Sequence, residues 1–291
     1  MKKLIVIILF LIQYSAFAQL ENSLLWQISG NGLEKPSYLY GTVHQICYSN
    51  LLVKPQLEKI IKSSEKVYLE IVFDEELNNF KSHYDLYLKN GKTLRSYYTT
   101  DQYQILEQKF NKKMAYKKVQ LSYYSNFKPS EILRFIIPNT MPCPKWTSYE
   151  KEISKIAKKN KISTGGLETY EEHNSFETES DSTIKANAER LYTLITNKQT
   201  LTDYTNEFIR LTNLYQEGKI NELYENSISE GTKKENELVL DFRNKLWIPR
   251  ISQYSQKGQM LYAFGAAHLA GENGVINLLR KEGFTVTPVF E

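Results

Sequence analysis

Apolar positions fall into short strand-like runs at the two ends of the chain and into helix-spaced runs between them. Leu24, Leu25, Trp26 and Ile28 mark a strand within Ser23 to Ser29, turned by Gly30-Asn31-Gly32. Ser37 to Gly41 follows as its hairpin partner. Val53, Leu57, Ile60 and Ile61 have helical spacing within Val53 to Ser63. Lys66 to Phe73 then alternates, with Val67, Leu69 and Ile71 against Tyr68, Glu70 and Val72, and runs into Asp74, Glu75 and Glu76. Strand, helix and strand at this spacing predict a βαβ unit.

The middle of the chain is helical and interrupted. Leu77 to Leu88, Asp101 to Phe110, Ala115 to Tyr124 and Pro129 to Ile137 have helical patterns joined by polar connectors. Thr147 or Ser148 can cap a helix over Tyr149 to Lys159, after which Ile162 to Leu167 reads as a short strand. Charge-rich helices follow over Ser180 to Asn197, Leu201 to Glu217, Ile220 to Ser227 and Lys233 to Gln256. A strand at Leu261 to Phe264, a helix at Gly274 to Glu282 and a strand at Phe284 to Val289 close the chain, with Gly283 ending the last helix. The expected class is α/β: a central sheet with two βαβ-like halves at the chain ends and a large helical middle.

The first residues belong to an export signal rather than to that fold. Lys2 and Lys3 precede the apolar run Leu4 to Ile12, and Ala16-Phe17-Ala18 supplies a cleavage site. The run is shorter than the roughly 20 residues a spanning helix needs. Residues 1–18 are therefore expected to be a signal peptide, and 19–291 a single α/β domain with helical insertion at about 76–160 and 175–256. The product is expected to be exported, periplasmic or secreted, with no stable membrane insertion of the mature chain. No lipobox cysteine marks it as an anchored lipoprotein.

Charge narrows the partners. The formal net charge is +4, and removing Lys2 and Lys3 with the leader lowers it to +2. Acidic and basic residues are interspersed, which argues against a nucleic-acid partner. The two cysteines, Cys47 and Cys143, form an even set in an exported chain and favour a disulfide. Two free thiols or a metal site are the alternatives.

Two of the four histidines follow strand-ending glycines in the same way, as Gly41-Thr42-Val43-His44 and Gly265-Ala266-Ala267-His268. The edge just past the C-terminal ends of parallel strands is where α/β folds place ligands and reactive groups. Two imidazoles converging there suit a metal once carboxylates join them. Glu70 and Glu168 each stand near the end of their own strand, so four strand ends could deliver His44, Glu70, Glu168 and His268 to one pocket. Each residue also has a plainer reading. A lone GxxH is weak, Glu70 could be the solvent-facing member of its strand, and Glu168 could serve a helix N-terminus with Glu171 and Glu172. His83 reads as a solvated helix residue. His173 adjoins the acidic pair and either joins the site or lies exposed.

The set as a whole resembles the TraB/PrgY/GumN family, which includes the TIKI metalloproteases. The resemblance rests on the two GxxH turns, on Val67-Tyr68-Leu69-Glu70, and on Met141-Pro142-Cys143-Pro144 with Ser148-Tyr149-Glu150. Gly166-Leu167-Glu168-Thr169-Tyr170-Glu171-Glu172 and Gly271-Glu272-Asn273-Gly274-Val275 with Leu278-Leu279 complete it, in order, from about Leu24 to Val289. His173 stands where the family pattern usually has glutamine.

The resemblance implies a core similar to the erythromycin-esterase/ChaN-like clan and a divalent-metal-dependent hydrolase acting on a peptide or protein substrate, with manganese or cobalt as the metal. Carried over, His44 and His268 are the motif histidines and Glu70 and Glu168 the carboxylates, both as metal ligands and as catalytic groups, with Glu168 taken as the base. The metal would polarise a carbonyl and activate water, and a carboxylate would move the proton. HExxH is absent, and no Ser-His-Asp set is evident. The alternatives are a metal- or haem-binding protein without turnover and a peptide-binding module.

Overall fold

A computed structural model describes residues 21–72, 86–176, 179–230 and 237–290. The leader, Asp74 to Glu76, His83 and most of the Leu77 to Leu88 run lie outside the described residues. The strands are β1 (Leu25–Gly30), β2 (Ser37–Thr42), β3 (Ile46–Cys47), β4 (Lys66–Leu69), β5 (Trp146–Thr147), β6 (Ser163–Gly166), β7 (Met260–Gly265) and β8 (Phe284–Pro288). Six of them form one sheet in the order β6-β4-β7-β2-β1-β8, while β3 and β5 pair separately.

The four neighbours β6, β4, β7 and β2 run parallel, and β1 is antiparallel to both β2 and β8. The hairpin read at β1 and β2 is therefore present, with Leu25 opposite Tyr40. Both end units are strand, helix and strand, but neither places its two strands side by side. β7 lies between β2 and β4, and β2 and β1 lie between β7 and β8. The two halves interlock, which brings β2 and β7 together with Gly41 opposite Phe264 and Thr42 opposite Gly265.

Alternation along these strands feeds two cores. On one face Trp26, Ile28, Leu39, Tyr262 and Phe264 meet Trp247, Ile248 and Ile251 of α9 (Arg243–Ser255) and Ile276 and Leu279 of α10 (Val275–Lys281). On the other, Leu25, Tyr40, Val67, Leu69 and Leu261 meet Leu57 and Ile61 of α1 (Pro55–Ser63) and Ile153 of α4 (Tyr149–Lys159). Large apolar side chains buried like these contribute about 1.5–3 kcal/mol each.

A third core stands apart from the sheet. It joins Leu106 and Phe110 of α2 (Thr100–Met114), Ile132 and Ile136 of α3 (Pro129–Thr140), and Leu191 and Leu194 of α6 (Asp181–Thr196). α5 (Tyr170–Phe176), α7 (Lys198–Gln216) and α8 (Ile220–Glu230) complete the helices.

Three local readings change. Ala115 to Tyr124 is not one helix but two 3-10 turns, because Lys118 adopts a left-handed conformation between them. The strand read over Lys66 to Phe73, of which Phe73 lies outside the described residues, ends at Leu69; the Glu70 carbonyl still accepts from the Glu168 amide at 2.9 Å, and Glu70 is buried rather than solvent-facing. Of the long helix read over Lys233 to Gln256, residues 233–236 lie outside the described residues, and the rest is a π-helical turn at Glu237–Phe242 followed by α9. A disulfide joins Cys47 to Cys143, with Cα atoms 5.7 Å apart. It fastens β3, just after His44, to the loop between α3 and β5.

Candidate functional site

Four adjacent parallel strands end at one edge of the sheet, and each hands one polar residue to it. In sheet order they are Glu168 beyond β6, Glu70 beyond β4, His268 beyond β7 and His44 beyond β2. The two histidines meet because their strands are hydrogen-bonded neighbours in near-matching register. Glycine is needed at the first turn for close approach. A Cβ on Gly41 would stand 2.7 Å from a Leu269 methyl and 3.0 Å from the Ala266 backbone, so Gly41 admits the second turn.

Gly265 forms the floor of the centre. A Cβ there would lie 3.4 Å from Glu70 Oε1, 3.5 Å from His44 Nε2 and 3.6 Å from His268 Cδ2. Glu70 Oε1 itself lies 3.8 Å from His44 Nε2 and 3.9 Å from His268 Nε2, and it accepts a hydrogen bond from the Gly265 amide at 2.7 Å. Donor atoms on one transition-metal ion at about 2.1 Å lie roughly 3.0–3.6 Å apart. Both imidazole–carboxylate distances are within a few tenths of an ångström of the upper end of that spacing, around a space that glycine leaves open. Among the described residues, the three groups whose donor atoms all lie within 4.8 Å of one another are Glu70, Glu168 and His173.

The far side of each imidazole is held as a metal-binding histidine requires. His268 Nδ1 is 2.7 Å from Asn244 Oδ1, and the Asn244 amide nitrogen donates to the carbonyls of Asn273 and His268 at 2.8 and 3.4 Å. That fixes the amide orientation, puts the imidazole proton on Nδ1 and leaves Nε2 a lone pair facing the centre. His44 Nδ1 is 2.9 Å from Glu150 Oε1, which also accepts from the Thr42 hydroxyl. Glu150 is buried, and its Oε2 has no hydrogen-bond partner among the described residues.

Arg243, at the start of α9, reaches into this centre. Its guanidinium donates to Glu70 Oε2 at 2.5 Å and to Glu168 at 2.6 and 3.1 Å, stacks on Trp247 and comes within 3.4 Å of His268 Nε2. Glu168 also accepts from Trp247 Nε1 at 3.0 Å and contacts His173 Nδ1 at 2.7 Å. His173 is thus a neighbour of the site through Glu168 rather than an exposed helix residue.

Electrostatics separates the two histidines. Burial and the Arg243 charge push the pKa of His268 down to about 3. Burial also works against a charge on His44, but the Glu70 carboxylate and the hydrogen bond to Glu150 outweigh it and raise its pKa to about 9. The His44 side chain is 65 % exposed, so water screens part of that attraction. Burial alone would raise the Glu70 pKa, yet Arg243 and the two imidazoles hold it well below the usual carboxylate range.

The sequence reading contained His44, Glu70, Glu168 and His268, and the structure gathers them. It did not contain Arg243, Asn244, Trp247 or the part played by Glu150. Arg243 lies on the face of α9 that also buries Asn244, Trp247, Ile248, Ile251 and Ser255, and no local pattern separates it from the other cations of that helix.

Fold and centre together define an α/β protein with paired histidines and carboxylates at the C-terminal edge of a parallel sheet. Residues 24–288 match the family model of TraB/PrgY/gumN, and the chain belongs to the TraB/PrgY/gumN family. Comparisons with curated proteins and with solved structures return no significant match. Among the described residues, no helix is long and apolar enough to cross a membrane.

Proposed function

We propose that the protein is an exported, divalent-metal-dependent hydrolase that cleaves peptide bonds. The observation that carries this reading is the convergence of both GxxH imidazoles, each with its Nδ1 held by a buried acceptor, on the Glu70 carboxylate above Gly265. His44, His268 and Glu70 would hold the cation, manganese or cobalt by the family resemblance. When bound, it would polarise a carbonyl and make water a better nucleophile near neutral pH.

The chain's own groups divide the remaining work. Glu70 stays ionised beside the two imidazoles, as a carboxylate ligand to a cation requires. Arg243 lines the cleft and brings permanent positive charge next to His268, where it can stabilise a developing oxyanion. We assign Glu168 to holding Arg243, because both its oxygens already accept hydrogen bonds from the guanidinium or from Trp247.

A second reading has one observation in its favour. Arg243 satisfies Glu70 and Glu168 together without a cation, as a protein that binds its ligand without turnover would allow. Elemental analysis of the purified protein, run beside a peptide-cleavage assay with and without chelator, separates the two. Retained divalent metal and chelator-sensitive cleavage are expected. A folded protein that takes up no metal and leaves every peptide intact would overturn the hydrolase reading.

A further inference from the structure

The cleft extends well beyond the centre. Two cavities, of about 580 Å³ and about 500 Å³, share His44, Gln45, Glu70 and His173 and lead away from them. The first is walled by α3 and α6, with Leu133, Arg134, Ile137, Asn187 and Arg190. The second runs under α7, α8 and the π-helical turn, with Phe208, Leu211, Leu223, Val239 and Leu240.

The arms differ in chemistry. Beyond the central Glu70 and Arg243, the second arm carries no charged side chain among the described residues that line it. The first carries two guanidinium groups from two helices. Arg190 stacks on Tyr204 and donates to its hydroxyl, which holds the cation without neutralising it. Arg134 faces Glu131 at 3.6 Å and keeps a side chain 56 % exposed. Glu179, which accepts from Ser130 at 2.5 Å, offsets part of this charge from below. A fixed guanidinium recognises a carboxylate through paired hydrogen bonds. Gln45, shared by both arms, offers polar groups to a backbone between them, while Ser130 and Asn187 line the first arm and donate to Glu179.

We propose that the cleft takes an extended peptide across His44, with an apolar side chain in the second arm and a carboxylate against Arg190 in the first, supported by Arg134. This rests on the reading of the centre as a site that handles peptides. It does not depend on cleavage. The carboxylate can come from an acidic side chain or from the peptide's C-terminus.

The test is fluorescence anisotropy with short labelled peptides, measured on chelator-treated native protein and on the His268→Ala variant, so that no substrate is consumed. The set contains a leucine and an aspartate in both orders, the same peptides with asparagine, and each with a free or amidated C-terminus. The acidic or free-acid member is expected to bind about tenfold tighter than its neutral counterpart. Arg190→Gln should erase that difference while leaving the neutral peptide's affinity unchanged, and replacing leucine by serine should weaken every member. Which carboxylate matters identifies its source. Equal affinities for charged and neutral peptides, an advantage that survives Arg190→Gln, or no binding by any peptide would overturn the proposal. If these preferences hold and metal-loaded protein still cleaves nothing, the peptidase reading fails and the cleft assignment stands.

Discussion

His44 and His268 follow the same GxxH pattern and leave neighbouring parallel strands, yet they occupy different environments. His268 is buried, oriented by an amide oxygen, and kept neutral by burial and a neighbouring guanidinium. His44 stands at the mouth of two cavities, largely exposed, and is held by a carboxylate. A motif fixes the backbone path and the side-chain type; the neighbours decide what the imidazole experiences. In this centre one histidine belongs to a rigid wall and the other to the open side where a substrate would arrive.

The wall is the place to break that contrast first. Arg243→Met leaves the buried Glu70 and Glu168 without their cation and should cost about 3–5 kcal/mol in a denaturant titration. Combining it with Glu168→Gln should recover part of that loss, since one uncompensated charge is removed.

Next come the histidines themselves. His268→Ala removes a buried ring and strands Asn244, so a loss of about 2–4 kcal/mol is expected. His44→Ala removes a largely exposed ring but takes a partner from the buried Glu150, so a smaller loss of about 1–2 kcal/mol is expected. Both variants should lose the bound metal. Equal destabilisation by the two would contradict the division into wall and mouth.

The two glycines separate in the opposite sense. A Cβ at Gly41 collides with Leu269 and the Ala266 backbone, so Gly41→Ala should cost about 1–3 kcal/mol by thermal melting. At Gly265 the same Cβ meets its neighbours at 3.4–3.6 Å, ordinary contact distances. Gly265→Ala should therefore keep the fold and lower metal affinity more than tenfold, a factor above about 1.4 kcal/mol, as read by competitive metal titration.

The smallest effect is in the pH dependence of the metal-free protein. The folded-state pKa of His268 is depressed to about 3, so its contribution is present above the unfolded value of about 6.5 and is lost as pH falls toward 3. His44 shifts the other way: its contribution is present below about 6.5 and is lost as pH rises toward 9. Solvent screening makes this alkaline limb the shallower one. In chemical denaturation across this range, His268→Ala should flatten the acid limb and His44→Ala the alkaline limb.

Much of this was legible in the chain. Alternation located the strands at both ends, and glycines followed three residues later by histidine marked the two turns. Positions near the ends of their strands added Glu70 and Glu168, and the family resemblance covers the same residues. Lys118 illustrates what local pattern cannot supply, since a single left-handed residue divides a stretch whose apolar spacing reads as one helix. Arg243 illustrates it differently. In isolation it reads as one more cation on a charge-rich helix, and only the sheet edge packed against α9 gives it two carboxylates.

The sequence by itself determined which residues could do chemistry and which strands would carry them, because side-chain periodicity and glycine turns are local properties. Tertiary structure decided the rest. The interlocked strand order β6-β4-β7-β2 set four chain-distant residues side by side and buried Glu70 among them. The helix α9 then placed one guanidinium where two carboxylates required it. Strand order and burial depend on contacts between residues far apart in the chain, and no local pattern encodes a charge's distance from its partner.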